Sequence, residues 1–411
     1  MADSSKTKEK KGDIPMPPMS CIVCIYTLGF MDLFAISLIL PLLLSHGEQL
    51  GASPMMNGLV GSVYGGLQLI SSPICGSFSD QYGRARVLII SLLACTVSYL
   101  TLAFSETILL LVISRVLAGS FKHTQTMCRM LLVDLEPPSE RQRVIGWFNA
   151  ISSMGFIVGP PIGGHLAGMD GGFRLVTLIC AGLFATMFVL SCLLVRDGPR
   201  AQHHAAATAV GESLTSFTDV DWLRIGDLMV VRFFYAFSVL LFRANMPSTA
   251  ARLFGMTPVQ FGYLMSMQGV VSAGAGFLTG PIERFCGDRL TELALTSAVF
   301  TAALTAASLA PSITWLAVAL IPLCACTSSL RACGTALTLD RTPPAHHGLV
   351  MGAGQNIASV ARLAAPLAAG AAQQLVSDRG PGLVAAACAA IALGVAVYIR
   401  QAARSKREKQ E

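Results

Sequence analysis

The residues best suited to chemistry are charges set inside apolar runs. Arg115, Lys122 and Arg129 recur at intervals of seven in one run. On a helix that spacing keeps them within about 40° of one another, as a cationic stripe. Each such charge costs about 2.5 to 3.5 kcal/mol at the centre of a bilayer. The stripe is therefore expected to face a wet cavity or an anionic partner, although Arg129 lies near the end of its run and can snorkel out. Asp32 stands about halfway through another run, at a depth matching Lys122, and is the expected counter-ion. His123, next to Lys122, titrates near neutrality in water. Two readings fit. In one, Asp32, with or without His123, exchanges a proton while Lys122 and Arg115 bind an anionic or polar group. In the other, Asp32 and Lys122 form a static pair that ties two helices together. Later in the chain Arg232, Tyr235, Tyr263, Gln268, Arg331, Gln355, Asn356 and Arg362 are polar residues within apolar runs, available to a cavity or to interhelical hydrogen bonds.

The elements that must position these groups are membrane helices. Of 411 residues, 53% are hydrophobic and only 13% charged, about half the charged fraction of a soluble domain. Apolar stretches long enough to cross roughly 30 Å of hydrocarbon lie near 20–44, 57–77, 87–105, 107–133, 144–167 and 173–195. A second set lies near 226–245, 258–280, 290–309, 312–335, 347–370 and 382–400. The expected fold is all-α: twelve transmembrane helices in two six-helix bundles, 20–195 and 226–400. A polar tail, 1–19, precedes them, a linker, 196–225, joins them, and a second tail, 401–411, follows. The first run is too long for a signal-peptide core and is expected to stay in the protein. Most Lys and Arg fall on the side of the amino terminus, which predicts two cytoplasmic termini in a multi-pass protein of the plasma membrane or an endolysosomal membrane. The net charge of +6 follows from that asymmetry and calls for no nucleic acid.

The composition argues against several other classes. The linker is too short for a catalytic domain, no phosphate-binding G-x-x-x-x-G-K-[ST] occurs, and no nucleophile, base and orienting acid group together, so no enzyme is expected. Most of the twelve cysteines lie inside predicted helices, where they read as small packing residues. Cys21 and Cys24 lack a second pair and His203-His204 lacks partners, so neither metal nor cofactor is expected.

The two sets of helices are copies. A shift of 204 residues lays Ser53-Pro54 on Thr257-Pro258, Gly58 on Gly262, Gly65 on Gly269, Gly76 on Gly280 and Gly83 on Gly287. A shift of 206 lays Asp134 on Asp340, Pro137-Pro138 on Pro343-Pro344, Pro160 on Pro366 and Gly164 on Gly370. Parallel repeats about an axis along the membrane normal are a transporter plan, with the solute near midplane where the halves meet.

Two motifs make the plan specific. Gly76-Ser-Phe-Ser-Asp80-Gln-Tyr-Gly83-Arg84-Ala-Arg86 resembles the loop between the second and third helices of the major facilitator superfamily, and Gly155-x-x-x-Gly159-Pro160-x-x-Gly163-Gly164 resembles that superfamily's antiporter signature. Arg115-Val-Leu-Ala-Gly119 resembles its R-x-x-x-G motif. Within the superfamily, Leu28 to Phe34, Gly119 to Thr124 and Gly146 to Asn149 look most like an orphan member, with tetracycline-efflux-like proton antiporters among the next nearest. The resemblance implies a monomeric alternating-access carrier of a small organic solute, driven by the proton gradient and with antiport favoured. It also implies that Asp80 faces the amino end of the helix beginning near His347, and that Arg84 engages Asp134. The competing expectation is a receptor or sensor that kept the fold without transporting.

Overall fold

The structure is a computed structural model and describes residues 19–137, 140–195, 221–343 and 346–408. Nearly all of the tail 1–19, most of the linker 196–225, the pair His203-His204, and Pro138 and Pro344 of the repeat lie outside the described residues, as does the end of the tail 401–411.

Every element among the described residues is helical. In chain order they are α1 (Met19–Ile39), α2 (Leu43–Gln49), α3 (Pro54–Tyr82), α4 (Arg84–Ala103), α5 (Ile108–Phe121), α6 (Thr124–Leu135) and α7 (Arg141–Ala167). They continue with α8 (Gly172–Leu194), α9 (Trp222–Phe254), α10 (Pro258–Cys286), α11 (Arg289–Ser308), α12 (Ile313–Asp340), α13 (His347–Leu375) and α14 (Gly380–Glu408). Short turns reverse the chain between long helices. The molecule thus has a tail end, where α1 begins and α14 finishes, and a far end, where α3 and α10 begin. Ser53 and Thr257 cap α3 and α10, accepting hydrogen bonds from the Met56 and Gln260 backbone N–H groups, and a proline opens each helix. The duplicated Ser53-Pro54 and Thr257-Pro258 are therefore helix starts, with proline where its missing N–H costs nothing.

Among the described residues, seven segments are long and apolar enough to cross a membrane by length and composition, among them Met19–Gln49, Trp222–Phe254 and Ile313–Asp340. The sequence reading expected twelve. The helices that fall short have physical reasons to do so. α5 and α6 are two pieces of one predicted run, broken between Phe121 and Thr124. α3, α7, α10 and α13 are rich in glycine and polar residues because they pack on one another across the halves. A helix that meets another helix instead of lipid gains from small side chains that let the backbones approach.

Two large apolar cores fill the halves, beside a small third cluster of Ile225, Met229 and Val350. One gathers Ile25, Leu28, Leu92, Tyr99, Phe148 and Phe184 with their neighbours between Cys21 and Val195. The other runs from Leu228 to Ile399 around Leu241, Phe300, Leu304 and Leu320. The halves meet at the far end through duplicated glycines. A Cβ built on Gly58 would strike the carbonyl of Pro366, and one on Gly370 would strike the carbonyl of Pro54. In the copy, Gly262 faces the carbonyl of Pro160, and a Cβ on Gly164 would lie 2.5 Å from the carbonyl oxygen of Pro258. Toward the tail end the same helices part: Gly76 on α3, Gly274, Gly276 and Gly280 on α10 and Gly352 on α13 have no atom of the described residues within 4 Å of that position.

Polar contacts reinforce the far-end closure. Glu48 of α2 accepts hydrogen bonds from Ser248 Oγ at 2.6 Å and Arg252 Nη2 at 3.2 Å, both on α9. Within the second half, Gln373 of α13 accepts from the Asn245 amide at 2.6 Å and donates to Ser248 at 3.2 Å, holding in place the hydroxyl that reaches Glu48. The Leu367 backbone N–H donates to Ser62 Oγ at 3.1 Å, and the Met55 N–H to Gln374 Oε1 at 3.3 Å.

At the tail end, Asp288 caps α11, accepting from the Thr291 N–H at 2.8 Å and the Thr291 hydroxyl at 2.6 Å. Burial alone would raise its carboxyl, but these bonds outweigh burial and hold it below the ordinary aspartate value. A lowered folded-state pKa adds stability above the unfolded-state value, lost as pH falls through the folded-state value. Thermal melts of Asp288→Ala should therefore show a loss of about 1 kcal/mol at neutral pH that fades in acid. An equal loss at every pH would mean the carboxylate's charge contributes nothing.

Candidate functional site

The break between α5 and α6 builds the centre of the first half. Lys122 sits at φ −79°, ψ 82°, outside helical geometry, and ends α5, while His123 precedes α6. Backbone groups freed at membrane depth need new partners, and α3 supplies them: Gln68 Nε2 donates to the Lys122 carbonyl at 3.2 Å and Ser71 Oγ to the Gly119 carbonyl at 3.2 Å. The continuous cationic stripe expected from the spacing of seven is thereby corrected. Arg115 and Lys122 stay in the interior, whereas Arg129, on α6, is exposed, donates to Asn149 Oδ1 at 3.2 Å and lies over the Phe148 ring.

Lys122 Nζ forms an ion pair with Asp32 Oδ1, while Asp32 Oδ2 accepts from Gln125 Nε2 at 3.1 Å. The side chains are 5% and 1% exposed. Lys122 also lies 5.0 Å from the centre of the Phe184 ring, so the ammonium is enclosed by one anion and one aromatic face. His123 points elsewhere: its Nε2 is 2.8 Å from Ser71 Oγ. Arg115, 6% exposed, lies over the Tyr99 ring, and its Nη2 has no hydrogen-bond partner.

Between the halves lies a cavity of about 680 Å³, lined by both. Such a volume accommodates a drug-sized molecule. Its walls are mostly apolar, with Ile36, Leu40 and Phe156 from one half and Leu240, Phe261 and Met265 from the other. Among the described residues, five cationic side chains line it, Arg115, Lys122, Arg243, Arg331 and Arg362, and no acidic side chain does.

Of the residues singled out from sequence, Arg115, Lys122, Gln268, Arg331 and Arg362 line this cavity, and Asp32 stands behind Lys122. The others lie elsewhere. Tyr263 is joined to His165 Nε2 at 3.0 Å, bridging α10 and α7, and so fastens the halves. Tyr235 packs edge-on against Phe300, and Arg232 crowds Gly354 of α13. Gln355 and Asn356 are exposed on α13 outside the cavity wall. Arg243 was missed. The predicted span ended at 245 and left it at an edge, whereas α9 runs to Phe254 and Arg243, well within it, lines the cavity. A charge within an apolar run is the signal that could have found it. Tyr64, Tyr99 and Phe156, also in the wall, carry no such signal.

The loop motif is built around Gly83, whose φ of 95° suits glycine. Arg84 pairs with Asp134 and lies 3.3 Å from Asp80. Among the described residues, the partner of Asp80 is Arg84. The glycines of the fifth-helix motif pack on α1: a Cβ on Gly155 would lie 2.5 Å from the Phe30 carbonyl oxygen, one on Gly159 2.9 Å from that of Phe34, and one on Gly163 would strike Leu38. Pro160 and Gly164 meet α10 instead. The pattern is a close-approach surface on two sides.

Comparison with known proteins agrees with this architecture. The model of the Major Facilitator Superfamily matches residues 22–225 and 228–411. The class H tetracycline resistance protein of Pasteurella multocida is 31% identical over 179 residues, 43% of this chain and 44% of the relative. Domain-containing protein 10 of the superfamily from Bos taurus is 31% identical over 179 residues, 36% of this chain and 39% of the relative. The class B tetracycline resistance protein of Escherichia coli is 26% identical over 263 residues, 63% and 64% of the two chains. These alignments span less than two-thirds of each relative. Among solved structures, the human organic anion transporter MFSD10 superposes with a TM-score of 0.65 at 18% identity, covering 92% of this chain and 100% of that one. The nucleoside transporter NupG gives 0.75 at 13% identity, covering 92% and 99%. The family and its structural neighbours are transporters, not enzymes. With a family model matched along both halves, and an all-helical fold hollow between them, this chain is an integral membrane protein belonging to the major facilitator superfamily.

Proposed function

We propose that the chain is a secondary active transporter that moves a small organic solute by alternating access, in antiport with protons. The carrying observation is one cavity lined by both halves, closed at the far end by paired glycine contacts and polar bridges while the halves stand apart at the tail end. A receptor could keep a pocket. It has no need of duplicated interfaces that differ between the two ends, which are what a rocking carrier uses to exchange one opening for the other. In this reading the chain crosses the membrane twelve times as a monomer, α1 with α2 and α5 with α6 each serving as one broken pass, and the tail end is cytoplasmic. The bundles are 20–195 and 226–400. Arg115 holds an acidic or polar group of the solute, and the buried Asp32–Lys122 pair takes up and releases the proton.

Reconstitution in liposomes tests this. Carboxyfluorescein uptake should rise with an imposed pH gradient above that of protein-free liposomes, and Arg115→Ala should lower it about tenfold, the effect of roughly 1.4 kcal/mol of lost binding. Solutes that stabilise the purified protein but never cross the liposome membrane would favour the receptor instead.

A further inference from the structure

The cavity carries more positive charge than one acidic group can balance, and the excess is divided between the halves. Lys122 is balanced by Asp32. Arg115 in one half, and Arg243, Arg331 and Arg362 in the other, have no acidic partner among the described residues. Arg243 reaches only Cys324 Sγ, at 3.8 Å. Arg243, Arg331 and Arg362 are exposed to the cavity, where water screens their mutual repulsion and leaves them available to an anion.

A second observation points to a ligand in each half. Two buried side-chain nitrogens in the cavity wall have no hydrogen-bond partner among the described residues: Arg115 Nη2 and Gln268 Nε2. Their residues are 6% and 7% exposed. Both atoms are donors, and they sit on opposite halves, on α5 and α10. The Gln268 carbonyl oxygen already has a thiol neighbour, Cys324, at 4.0 Å, which leaves its amide N–H groups to be satisfied by something else. A buried donor without a partner costs about 1 to 3 kcal/mol, which an acceptor on the ligand would recover. Most of the remaining wall is apolar.

Resting on the transporter reading above, we propose that this cavity selects an organic dianion, with two acidic groups held apart by an apolar body. One acidic group is taken by Arg115 beside Tyr99. The other is taken by Gln268 with the arginines of the second half. Because each half then holds one end, the solute itself joins the halves across the cavity, and a monoanion fills only one of the two subsites.

The test is thermal stabilisation and equilibrium binding with the full-length purified protein. The probes are benzene, naphthalene and biphenyl dicarboxylates, the matching monocarboxylates, and aryl trimethylammonium cations of the same size. At least one dicarboxylate should bind about tenfold or more tightly than its monocarboxylate. Arg331→Gln and Gln268→Leu should reduce the dicarboxylate to the monocarboxylate's affinity and leave the monocarboxylate unchanged, whereas Arg115→Gln should weaken both. Arg331→Lys should restore most of the preference. The unliganded Arg331→Gln protein should melt no lower than wild type, since Arg331 is exposed and has no acidic partner among the described residues to strand, which separates lost binding from lost folding. Equal affinity for mono- and dicarboxylates, or no stabilisation by any dicarboxylate, overturns the two-subsite inference while leaving a carrier in place. Preference for the cations overturns the anion assignment of Arg115 itself.

Discussion

Replacing Lys122 by methionine should lower the melting temperature by the equivalent of about 3 to 5 kcal/mol, the cost of stranding one member of a buried ion pair. Asp32 and Lys122 are almost fully enclosed, so the abandoned carboxylate would keep only the Gln125 amide. The double variant Asp32→Asn, Lys122→Met should recover most of the loss, because paired removal deletes the charge as well as its partner. If the two single losses simply add in the double variant, the groups do not interact energetically. The same proteins separate two roles for the pair. A purely structural pair predicts normal pH dependence of transport once stability is recovered. A proton-carrying pair predicts that stability returns in the double variant while pH dependence does not, because no titrating carboxyl remains at that position. Asp32→Asn alone should already abolish the pH dependence.

Valine at both Gly164 and Gly370 should open the far end. Each position faces a backbone carbonyl of the other half, Pro258 and Pro54 respectively, and a backbone group cannot step aside by changing rotamer. Overpacking of this kind costs about 1 to 3 kcal/mol per site. The two interfaces are copies that close together, so their costs fall on the same state. A bias of about 2 to 6 kcal/mol is at least tenfold in population and suffices to reverse a two-state balance of similar size. Amide hydrogen exchange provides a signed readout: residues 53–62 and 248–262 should exchange faster and residues 76–86 and 280–289 slower. Gly182→Val, at a position with nothing within 4 Å, should leave both unchanged. Acceleration at both ends would mean unfolding and would sink the interpretation.

How much could be read in advance follows from which forces act locally. Asp32 and Lys122 were legible because a charge in an apolar run is costly, and two opposite charges at one depth relieve each other's cost. The duplicated glycines and prolines at 54, 58, 160 and 164, and again at 258, 262, 366 and 370, were legible as a repeat. Their purpose was not, because each glycine's partner lies in the other half and is known only once the helices are docked.

The sequence by itself determined the helical class, the two-fold repeat, the family loop around Gly83 and the charges that must be buried. Hydrophobicity, glycine freedom and charge burial act on a residue wherever it is placed, which is why a linear string can carry them. Only the tertiary structure decided that α5 ends at Lys122, since the donors that permit the break, Gln68 and Ser71, come from α3. It likewise placed Arg243 inside the cavity and Tyr263 in a bridge outside it, and held Asp80 with Arg84. Each of those outcomes depends on the rotation and depth of one helix against another, and they are fixed by close packing between segments far apart in the chain.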